Sequence, residues 1–366
     1  MATIRVLLQE SRDESYDVIV GRDLVDGLPG LLKEHCPAGR YAIIADHHVA
    51  ELHGGRLLAS LTAAGIDTRI FTFPAGEWNK NREQWADLTD QLMEAKFGRD
   101  SAVIAFGGGV AGDLAGFVAA TYQRGLPFVQ VPTSLLAMID ASVGGKTGVD
   151  IPAGKNLVGA FHQPRLVVAD IAHLATLPRT HISAGMAEAI KHGAILDAAY
   201  FASLADSAPC LAKNLDRLEQ IVTRSIQIKA GVVSSDAREG GRRQILNFGH
   251  TIGHALETLS GFDLLHGEGV AIGMAVEAKL AEESGIAKSG TAAQIIDLLE
   301  RYQLPDSIPD GIGAERLVEC MRADKKVRAG RIRFALPAKI GSMAQSADGA
   351  WTVEVESEVL GRAISL

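Results

Sequence analysis

The chain has 366 residues, 47% of them hydrophobic and 22% charged, and a formal net charge of −8. At about 150 residues per domain, this length favours two globular domains. The acidic balance argues against broad affinity for nucleic acid, whose phosphates require a basic surface. Three widely spaced cysteines give neither a disulfide framework nor a cysteine zinc motif. The first residues lack the apolar block of a signal peptide, and no uncharged apolar run reaches the roughly 20 residues of a membrane span. We therefore expect a soluble, cytoplasmic protein without nucleic-acid or membrane partners.

The first half of the chain alternates short apolar runs with helical stretches, and Gly or Pro stands at the turns. An amphipathic helix is predicted over Asn81–Ala95. Strands are predicted at Ile4–Leu8, Asp17–Val20, Tyr41–Ala45, Arg69–Phe73, Ala102–Phe106 and Phe128–Val131. This alternation of strands and helices predicts an α/β domain with a Rossmann-like, mostly parallel sheet.

The second half has helical spacing throughout, with few β-branched runs. Helices are predicted over Ser183–Asp197, Leu211–Val233, Phe248–Leu259, Gly267–Ser284 and Thr291–Tyr302. We place the domain boundary near Leu177–Thr180. The expected architecture is an α/β domain over residues 1–178 and a mainly α-helical domain over residues 179–366.

A glycine turn follows the predicted strand that ends at Phe106. Gly107, Gly109 and Gly112 form a G-x-G-x-x-G pattern, and glycine lets backbone N–H groups approach a pyrophosphate closely. An ordinary dinucleotide fingerprint also has an acidic residue about 20 positions further on, where this chain has Pro127–Pro132. The pattern therefore indicates either a dinucleotide bound in a non-standard way or a tight packing turn between strand and helix.

A second glycine-rich turn surrounds Lys146. It is not a P-loop, because Asp140 stands where that motif requires a glycine. A lysine beside Gly144 and Gly145 still suits a phosphate group, since its charge and the exposed amides act together. A solvated loop lysine is the alternative interpretation.

Three histidines within seventeen residues suggest a metal site. His250 and His254 are four residues apart and share a helix face, and His266 begins the next predicted helix. Catalytic zinc sites use three protein ligands and an open position. Spacing alone favours these three histidines, with ordinary helix-capping histidines as the alternative. Glu188 lies on the apolar face of a predicted helix, where a carboxylate requires a metal or a cation.

Together these segments resemble the 3-dehydroquinate synthase family over nearly the whole chain. The segments that carry the resemblance are Gly107–Phe117, Pro132–Asp140, Ser142–Phe161, Gly185–Lys191, Lys229–His254, Leu265–Gly269 and Asp324–Lys326.

The resemblance implies one divalent metal, zinc or cobalt, held by Glu188, His250 and His266. His254 then contacts the substrate, which replaces the ligand set favoured by spacing. The other implied substrate residues are Lys146, Asn156, Lys191, Lys229, Glu239, Arg243 and Asn247. Arg124 is expected to reach a neighbouring copy's site, which implies a homodimer.

The resemblance also implies a bound NAD. Family members often carry threonine in place of Ser134 and aspartate in place of Ala75. The implied NAD contacts are Asp46, Gly76, Glu77, Lys80, Gly109, Val110, Ala111, Gly112, Asp113, Thr133, Ser134, Asp140, Lys146, Lys155, Thr176 and Leu177.

The implied reaction converts 3-deoxy-D-arabino-heptulosonate 7-phosphate to 3-dehydroquinate and phosphate, within the shikimate pathway of aromatic amino acid biosynthesis. It is redox-neutral, because NAD takes a hydride and later returns it. One alternative is another sugar phosphate cyclase, forming a valiolone- or inosose-like ring. A second is a metal-dependent polyol dehydrogenase, which has no use for so many phosphate-binding cations. A nucleotide-sensing scaffold would leave Glu188, His250 and His266 unexplained.

Overall fold

The computed structural model describes residues 13–152, 154–207, 214–261, 263–323 and 332–365. The predicted strand Ile4–Leu8 and the segment Asp324–Lys326 lie outside these residues. Among the described helices, none combines the length and apolarity needed to cross a membrane.

The described chain contains twelve strands and thirteen α-helices, with short 3₁₀- and π-helical segments between them. The strands are β1 (Asp17–Gly21), β2 (Arg40–Asp46), β3 (Thr68–Phe73), β4 (Ser101–Gly107), β5 (Phe128–Pro132), β6 (Lys146–Ile151), β7 (Gly154–Phe161), β8 (Leu166–Asp170), β9 (Arg333–Phe334), β10 (Pro337–Lys339), β11 (Ser342–Met343) and β12 (Val353–Glu354). The helices are α1 (Leu24–His35), α2 (His47–Val49), α3 (Gly55–Ala63), α4 (Arg82–Glu94), α5 (Gly109–Thr121), α6 (Arg179–Leu196), α7 (Ala198–Leu204), α8 (Leu215–Ser235), α9 (His250–Leu259), α10 (His266–Glu283), α11 (Thr291–Arg301), α12 (Ala314–Ala323) and α13 (Ser357–Ser365).

The predicted α/β architecture is confirmed by a six-stranded sheet whose pairs are all parallel. Its strand order is β1-β8-β5-β4-β2-β3. The chain steps from β2 to β3 in one direction and then to β4 on the other side of β2. Ligands of open α/β sheets bind outside the carboxyl ends of the strands at such a switch point. Here those ends are Asp46 and Gly107.

Helices cover both faces of the sheet, which explains why β4 and β8 are buried along their whole length. Successive residues of β2 alternate between the two cores. Ala42 and Ile44 pack with α4 and α5, while Ile43 and Ala45 pack with α1 and α3. Strand β8 was absent from the sequence prediction, although its apolar run is typical of a buried strand.

An antiparallel hairpin of β6 and β7 packs against α5, where the sequence had indicated only a glycine-rich turn. Lys146 opens β6 and pairs with Phe161 at the end of β7. The lysine is therefore held at a fixed place by the hairpin and is not part of an irregular loop.

The second half is mainly helical, as predicted. Helix α6 begins at Arg179, directly after Pro178, four residues before the predicted start. One apolar core joins Met186 and Ile190 of α6 to Ile139, which lies between β5 and β6. Because this core crosses Pro178, packing keeps the two halves in contact, and the division at residue 178 stays a prediction.

Candidate active site

The crossing of α10 over α6 brings the candidate metal ligands together. A Cβ atom added at Gly267 would collide with the backbone carbonyl of Ala184, so only glycine lets these helices approach so closely. Glu188 lies one turn after Ala184 on the same face of α6, and His266 immediately precedes Gly267. The glycine therefore sets the approach of the histidine to the carboxylate.

Glu188, His250 and His266 form a compact set, and their ligand atoms all lie within 4.8 Å of one another. Oε1 of Glu188 is 3.6 Å from Nε2 of His250 and 3.7 Å from Nε2 of His266. Glu188 is fully buried, and its Oε2 contacts the ammonium group of Lys191, while Oε1 faces the two imidazoles. A buried carboxylate requires cations beside it, and the side of Oε1 that faces the imidazoles is open to a metal ion.

The second nitrogen of each imidazole is already engaged, and this aims each Nε2 toward Glu188. His266 donates from Nδ1 to Oε1 of Glu257 at 2.8 Å, and His250 donates from Nδ1 to the carbonyl oxygen of Phe248 at 3.2 Å. Such partners fix the orientation of metal-binding histidines. One carboxylate and two imidazoles with an open position are a ligand set of catalytic zinc sites, so these residues fit a divalent metal.

The electrostatic field around His266 favours positive charge. Burial opposes the imidazolium, but Glu257 and Glu188 raise the pKa of His266 to about 10. Burial also raises the pKa of Glu188, but Lys191 and His266 together outweigh burial and leave that pKa lowered. A divalent metal would supply the positive charge that the carboxylates of Glu188 and Glu257 attract.

Asp140, Glu188 and His192 form another group of metal-type side chains. Two ammonium groups make it a poor metal site. Lys229 donates to Oδ1 of Asp140 at 2.7 Å, and Nζ of Lys191 contacts Glu188. Burial lowers the pKa of His192 to about 4, so its imidazole is neutral at neutral pH.

His254, Glu257 and His266 form the third such group. Glu257 is committed to Nδ1 of His266 and to the ammonium group of Lys155. A metal there would have to displace both contacts. The ring centroid of His254 is 5.1 Å from that of His250, so His254 borders the set of Glu188, His250 and His266.

Several predicted substrate residues share one polar network. The ammonium group of Lys146 contacts the carboxylate of Glu239, whose Oε1 accepts a hydrogen bond from Nδ2 of Asn247 at 2.7 Å. The Lys146 side chain is 51% exposed, so its ammonium group remains open to a ligand.

Arg243 and Lys229 bring two further buried cations to the same region. Arg243 donates from Nη2 to the carbonyl oxygen of Gly144 at 3.0 Å and from Nη1 to that of Ala237 at 2.6 Å. Burial lowers the pKa of Lys229 despite the attraction of Asp140. A cluster of lysine and arginine side chains inside an acidic protein suits a small anionic ligand.

The glycine turn lies at the switch point of the sheet. A Cβ atom added at Gly107 would lie 2.6 Å from Cβ of Ala111 and 3.4 Å from Oδ2 of Asp46. No side chain caps α5 at Gly108, so the turn offers bare backbone next to the N–H groups of the first helical turn. The glycine turn and these N–H groups suit a dinucleotide pyrophosphate. Asp46 brings a carboxylate from β2, whereas an ordinary fingerprint places one after the turn.

Four predicted cofactor residues share a charged network at the start of α5. Lys80 lies 2.9 Å from Oε1 of Glu77 and 3.2 Å from Oδ2 of Asp113. Lys155 lies 3.2 Å from the same oxygen of Glu77. Burial raises the pKa of Asp113 to about 6, against the effect of Lys80. For Glu77, the two lysines outweigh burial and lower its pKa to about 2.

Other predicted residues border the glycine turn or lie further away. The N–H group of Thr133 donates to the carbonyl oxygen of Gly107 at 2.9 Å. Thr176 hydrogen-bonds through its hydroxyl with Nε2 of His53 at 2.9 Å. Arg124 is exposed beyond the far end of α5, roughly 20 Å from Gly109 at 1.5 Å per residue. Within one chain, Arg124 is therefore far from the glycine turn at the start of α5.

Two buried glutamates of the site were missed by sequence reasoning. Glu257 supports His266, and Glu277 on α10 supports the start of α9. Oε2 of Glu277 accepts the N–H of Gly249 at 2.7 Å, and its Oε1 accepts that of Ile252 at 3.3 Å. Glu277 stands within the apolar sequence of α10, and an acid in such a position is the same sequence signal that had singled out Glu188 on α6.

The fold and the site define an enzyme class in which a parallel sheet with a glycine turn faces a helical half that carries a Glu–His–His cluster. The chain belongs to the 3-dehydroquinate synthase family. Models of the N-terminal and C-terminal parts of 3-dehydroquinate synthase match residues 70–184 and 185–327.

Similar proteins agree with this membership. The 3-dehydroquinate synthase of Symbiobacterium thermophilum is 49% identical over 93% of this chain and 96% of its own length. The 2-epi-5-epi-valiolone synthase ValA from Streptomyces hygroscopicus, solved with NAD+ and Zn2+, is 28% identical. It has a TM-score of 0.87 and covers 99% of this chain and 98% of its own. A 2-deoxy-scyllo-inosose synthase, complexed with carbaglucose-6-phosphate, NAD+ and Co2+, is 26% identical with a TM-score of 0.87. The alignment covers 95% of this chain and 96% of that one.

Proposed function

We propose that this protein converts 3-deoxy-D-arabino-heptulosonate 7-phosphate to 3-dehydroquinate and phosphate, with NAD used catalytically and one zinc or cobalt ion. The observation that carries the proposal is the convergence of Glu188, His250 and His266, in a chain 49% identical to a curated 3-dehydroquinate synthase. The reaction would serve the shikimate pathway of aromatic amino acid biosynthesis, and we propose a cytoplasmic location for it.

In this proposal Glu188, His250 and His266 hold the metal. A metal held by these residues would supply Lewis-acid chemistry that lowers the pKa of a substrate hydroxyl. The contacts of Glu257 and of the Phe248 carbonyl keep both imidazoles oriented, so the ligands are ordered before the substrate enters.

The proposed NAD site lies along the glycine turn from Gly109 to Asp113. NAD bound there would supply a hydride acceptor that is regenerated within each turnover. Asp46 at the end of β2 would bond a ribose hydroxyl, since its carboxylate lies beside Gly107, and the helix N-terminus at Gly109 suits the pyrophosphate. Lys80 and Lys155 add positive charge beside it.

In the proposed substrate site, some cations bind the substrate's phosphate and others bind its carboxylate. Lys146 and Asn156 suit the phosphate that leaves. The Lys146 side chain is 51% exposed, so a ligand can reach it. Lys229 and Arg243 suit the carboxylate and hydroxyls, since a guanidinium can bind a carboxylate through two N–H groups. His254 borders the metal set from α9 and contacts the substrate in this proposal.

We also propose that a second copy of the chain completes each site with Arg124. The exposure of Arg124, beyond the end of α5 that is far from the glycine turn, supports the proposal. Arg124→Ala and His250→Ala proteins should each have low activity, and mixed dimers of the two should recover part of it. Size-exclusion chromatography checks the dimer, and a monomer of full activity would contradict it.

The other sugar phosphate cyclases share the fold, so the substrate decides between the candidates. Phosphate release should be rapid from the heptulosonate phosphate and at background level from a hexose 6-phosphate, the class of ligand in the inosose synthase structure. Chelation should abolish release, and added Zn²⁺ or Co²⁺ should restore it. Preference for the hexose phosphate would assign the chain a different cyclase activity.

A further inference from the structure

Glu257 connects a proposed metal ligand with a proposed cofactor residue. It is 1% exposed, near the end of α9, and each of its oxygens has its own partner. Oε1 accepts from Nδ1 of His266 at 2.8 Å, while Oε2 contacts the ammonium group of Lys155 on the hairpin. One buried side chain therefore touches both halves of the molecule.

The contacts continue from Lys155 to the start of α5. Lys155 lies 3.2 Å from Oε1 of Glu77, and Lys80 lies 2.9 Å from that same oxygen. Lys80 in turn lies 3.2 Å from Oδ2 of Asp113, in the second turn of α5. Alternating charges thus run without a break from the metal set to the glycine turn.

We infer that Glu257 is a positioning residue that orients His266 for the metal and holds Lys155 for the cofactor. The inference rests on the proposed function, since it requires His266 to bind the metal. A carboxylate that accepts from the second nitrogen of a ligating histidine fixes the ring and strengthens its binding. The ion pair holds the flexible lysine stem beside Glu77, which limits the places where the ammonium group can meet an anion.

Replacing Glu257 with alanine removes both contacts, whereas glutamine separates them. In Glu257→Gln, the amide oxygen still accepts from His266, but the amide NH₂ group cannot pair with Lys155. In Lys155→Met, the histidine keeps its carboxylate and the lysine contact is lost. Asp263→Asn is the matched control, because Asp263 is an exposed acid shortly before His266.

The experiment measures Zn²⁺ affinity of the chelator-treated full chain by competition with a chromogenic chelator. Glu257→Ala should weaken Zn²⁺ binding about 10–100-fold. It should also shift the visible spectrum of the Co²⁺-substituted protein, which reports the ligand field. Glu257→Gln and Lys155→Met should have a Zn²⁺ affinity closer to that of wild type than Glu257→Ala has. Both should bind NAD more weakly than wild type in a calorimetric titration. Asp263→Asn should match wild type in all three measurements.

His266→Ala distinguishes failure of this inference from failure of the proposed function. If His266→Ala loses Zn²⁺ while Glu257→Ala binds it like Asp263→Asn, the positioning role is refuted and the ligand set stands. If His266→Ala retains full Zn²⁺ affinity, the proposed metal site itself is wrong. Wild-type NAD affinity in both Glu257→Gln and Lys155→Met would refute the cofactor half of the inference.

Discussion

The carboxylate of Glu277 accepts a hydrogen bond from the backbone N–H of Gly249 at 2.7 Å, one residue before His250. Helix α9 begins at His250, and no side chain of its own caps it at Gly249. A carboxylate at a helix N-terminus satisfies free N–H groups and interacts favourably with the helix dipole. Because Glu277 is fully buried on α10, it fixes α9 and its histidine relative to the helix that carries His266.

Replacing Glu277 with alanine should destabilise the metal-free protein by about 2–4 kcal/mol, because two buried N–H groups lose a charged acceptor. Glu277→Gln should cost less. Zn²⁺ affinity should fall as well, since the start of α9 loosens. Urea unfolding checks the stability, with Glu300→Gln on the exposed side of α11 as the control. Equal stability of Glu277→Ala and the control would contradict this role.

The metal ligands can be told apart from their neighbour on α9. His250→Ala should lose stoichiometric metal, because it removes one of three ligands. His254→Ala should keep the metal and lose turnover, as expected of a substrate contact. Metal content measured by mass spectrometry and activity measured by phosphate release test both variants. Loss of metal from His254→Ala with retention in His266→Ala would instead place the metal on the pair His250 and His254.

Lys146→Ala should lower kcat/KM for the heptulosonate phosphate about 10–100-fold, since a charge-assisted contact contributes about 1.5–3 kcal/mol. The Lys146 side chain is half-exposed, and its ammonium group contacts Glu239. NAD affinity should change little, because the proposed cofactor site lies at the glycine turn before α5. The exposed Lys33→Ala protein is the control. A parallel loss of NAD binding and turnover would instead place Lys146 in the cofactor site.

Acid sensitivity should depend on His173, which packs against His53 and Phe106. Burial lowers the pKa of His173 to about 4. In the unfolded chain the ordinary value is about 6.5, so between these two pH values the unfolded state binds the extra proton. Stability is therefore fully present above about pH 6.5 and falls as the pH drops toward 4.

Relative to wild type, His173→Gln should lose about 1–2 kcal/mol less stability between pH 7.5 and pH 5, because glutamine does not titrate. Urea unfolding of the metal-free protein at both pH values measures this difference. The exposed His47→Gln should behave as wild type. An unchanged acid dependence in His173→Gln would show that this histidine does not set it.

Much of the fold follows from local sequence. The strand ending at Phe106 and the helix after Asn81 appear close to their predicted bounds, because hydrophobic period and turn residues are local signals. The hairpin of β6 and β7 was missed, since its glycines mask the strand pattern and its pairing depends on packing against α5.

The candidate site could be predicted only in part. Spacing favoured His254 as a ligand because it shares a helix face with His250. Glu188 stood out as an acid on an apolar helix face, but only family resemblance assigned it to the same metal as His250 and His266. Periodicity could not reveal that Glu188 lies 3.7 Å from His266, because that distance depends on the crossing of α6 and α10. The partners of Glu257 and Glu277 likewise come from other elements, so no local motif identifies them.

The central claim is that one site uses NAD and regenerates it within each turnover. The direct test supplies the Zn²⁺-loaded protein with the heptulosonate phosphate in large molar excess over NAD, and follows phosphate and NADH together. We predict that phosphate release greatly exceeds the NAD present, without steady NADH accumulation in near-ultraviolet absorbance. Stoichiometric build-up of NADH, with release ending when NAD is exhausted, would contradict the claim and indicate a dehydrogenase.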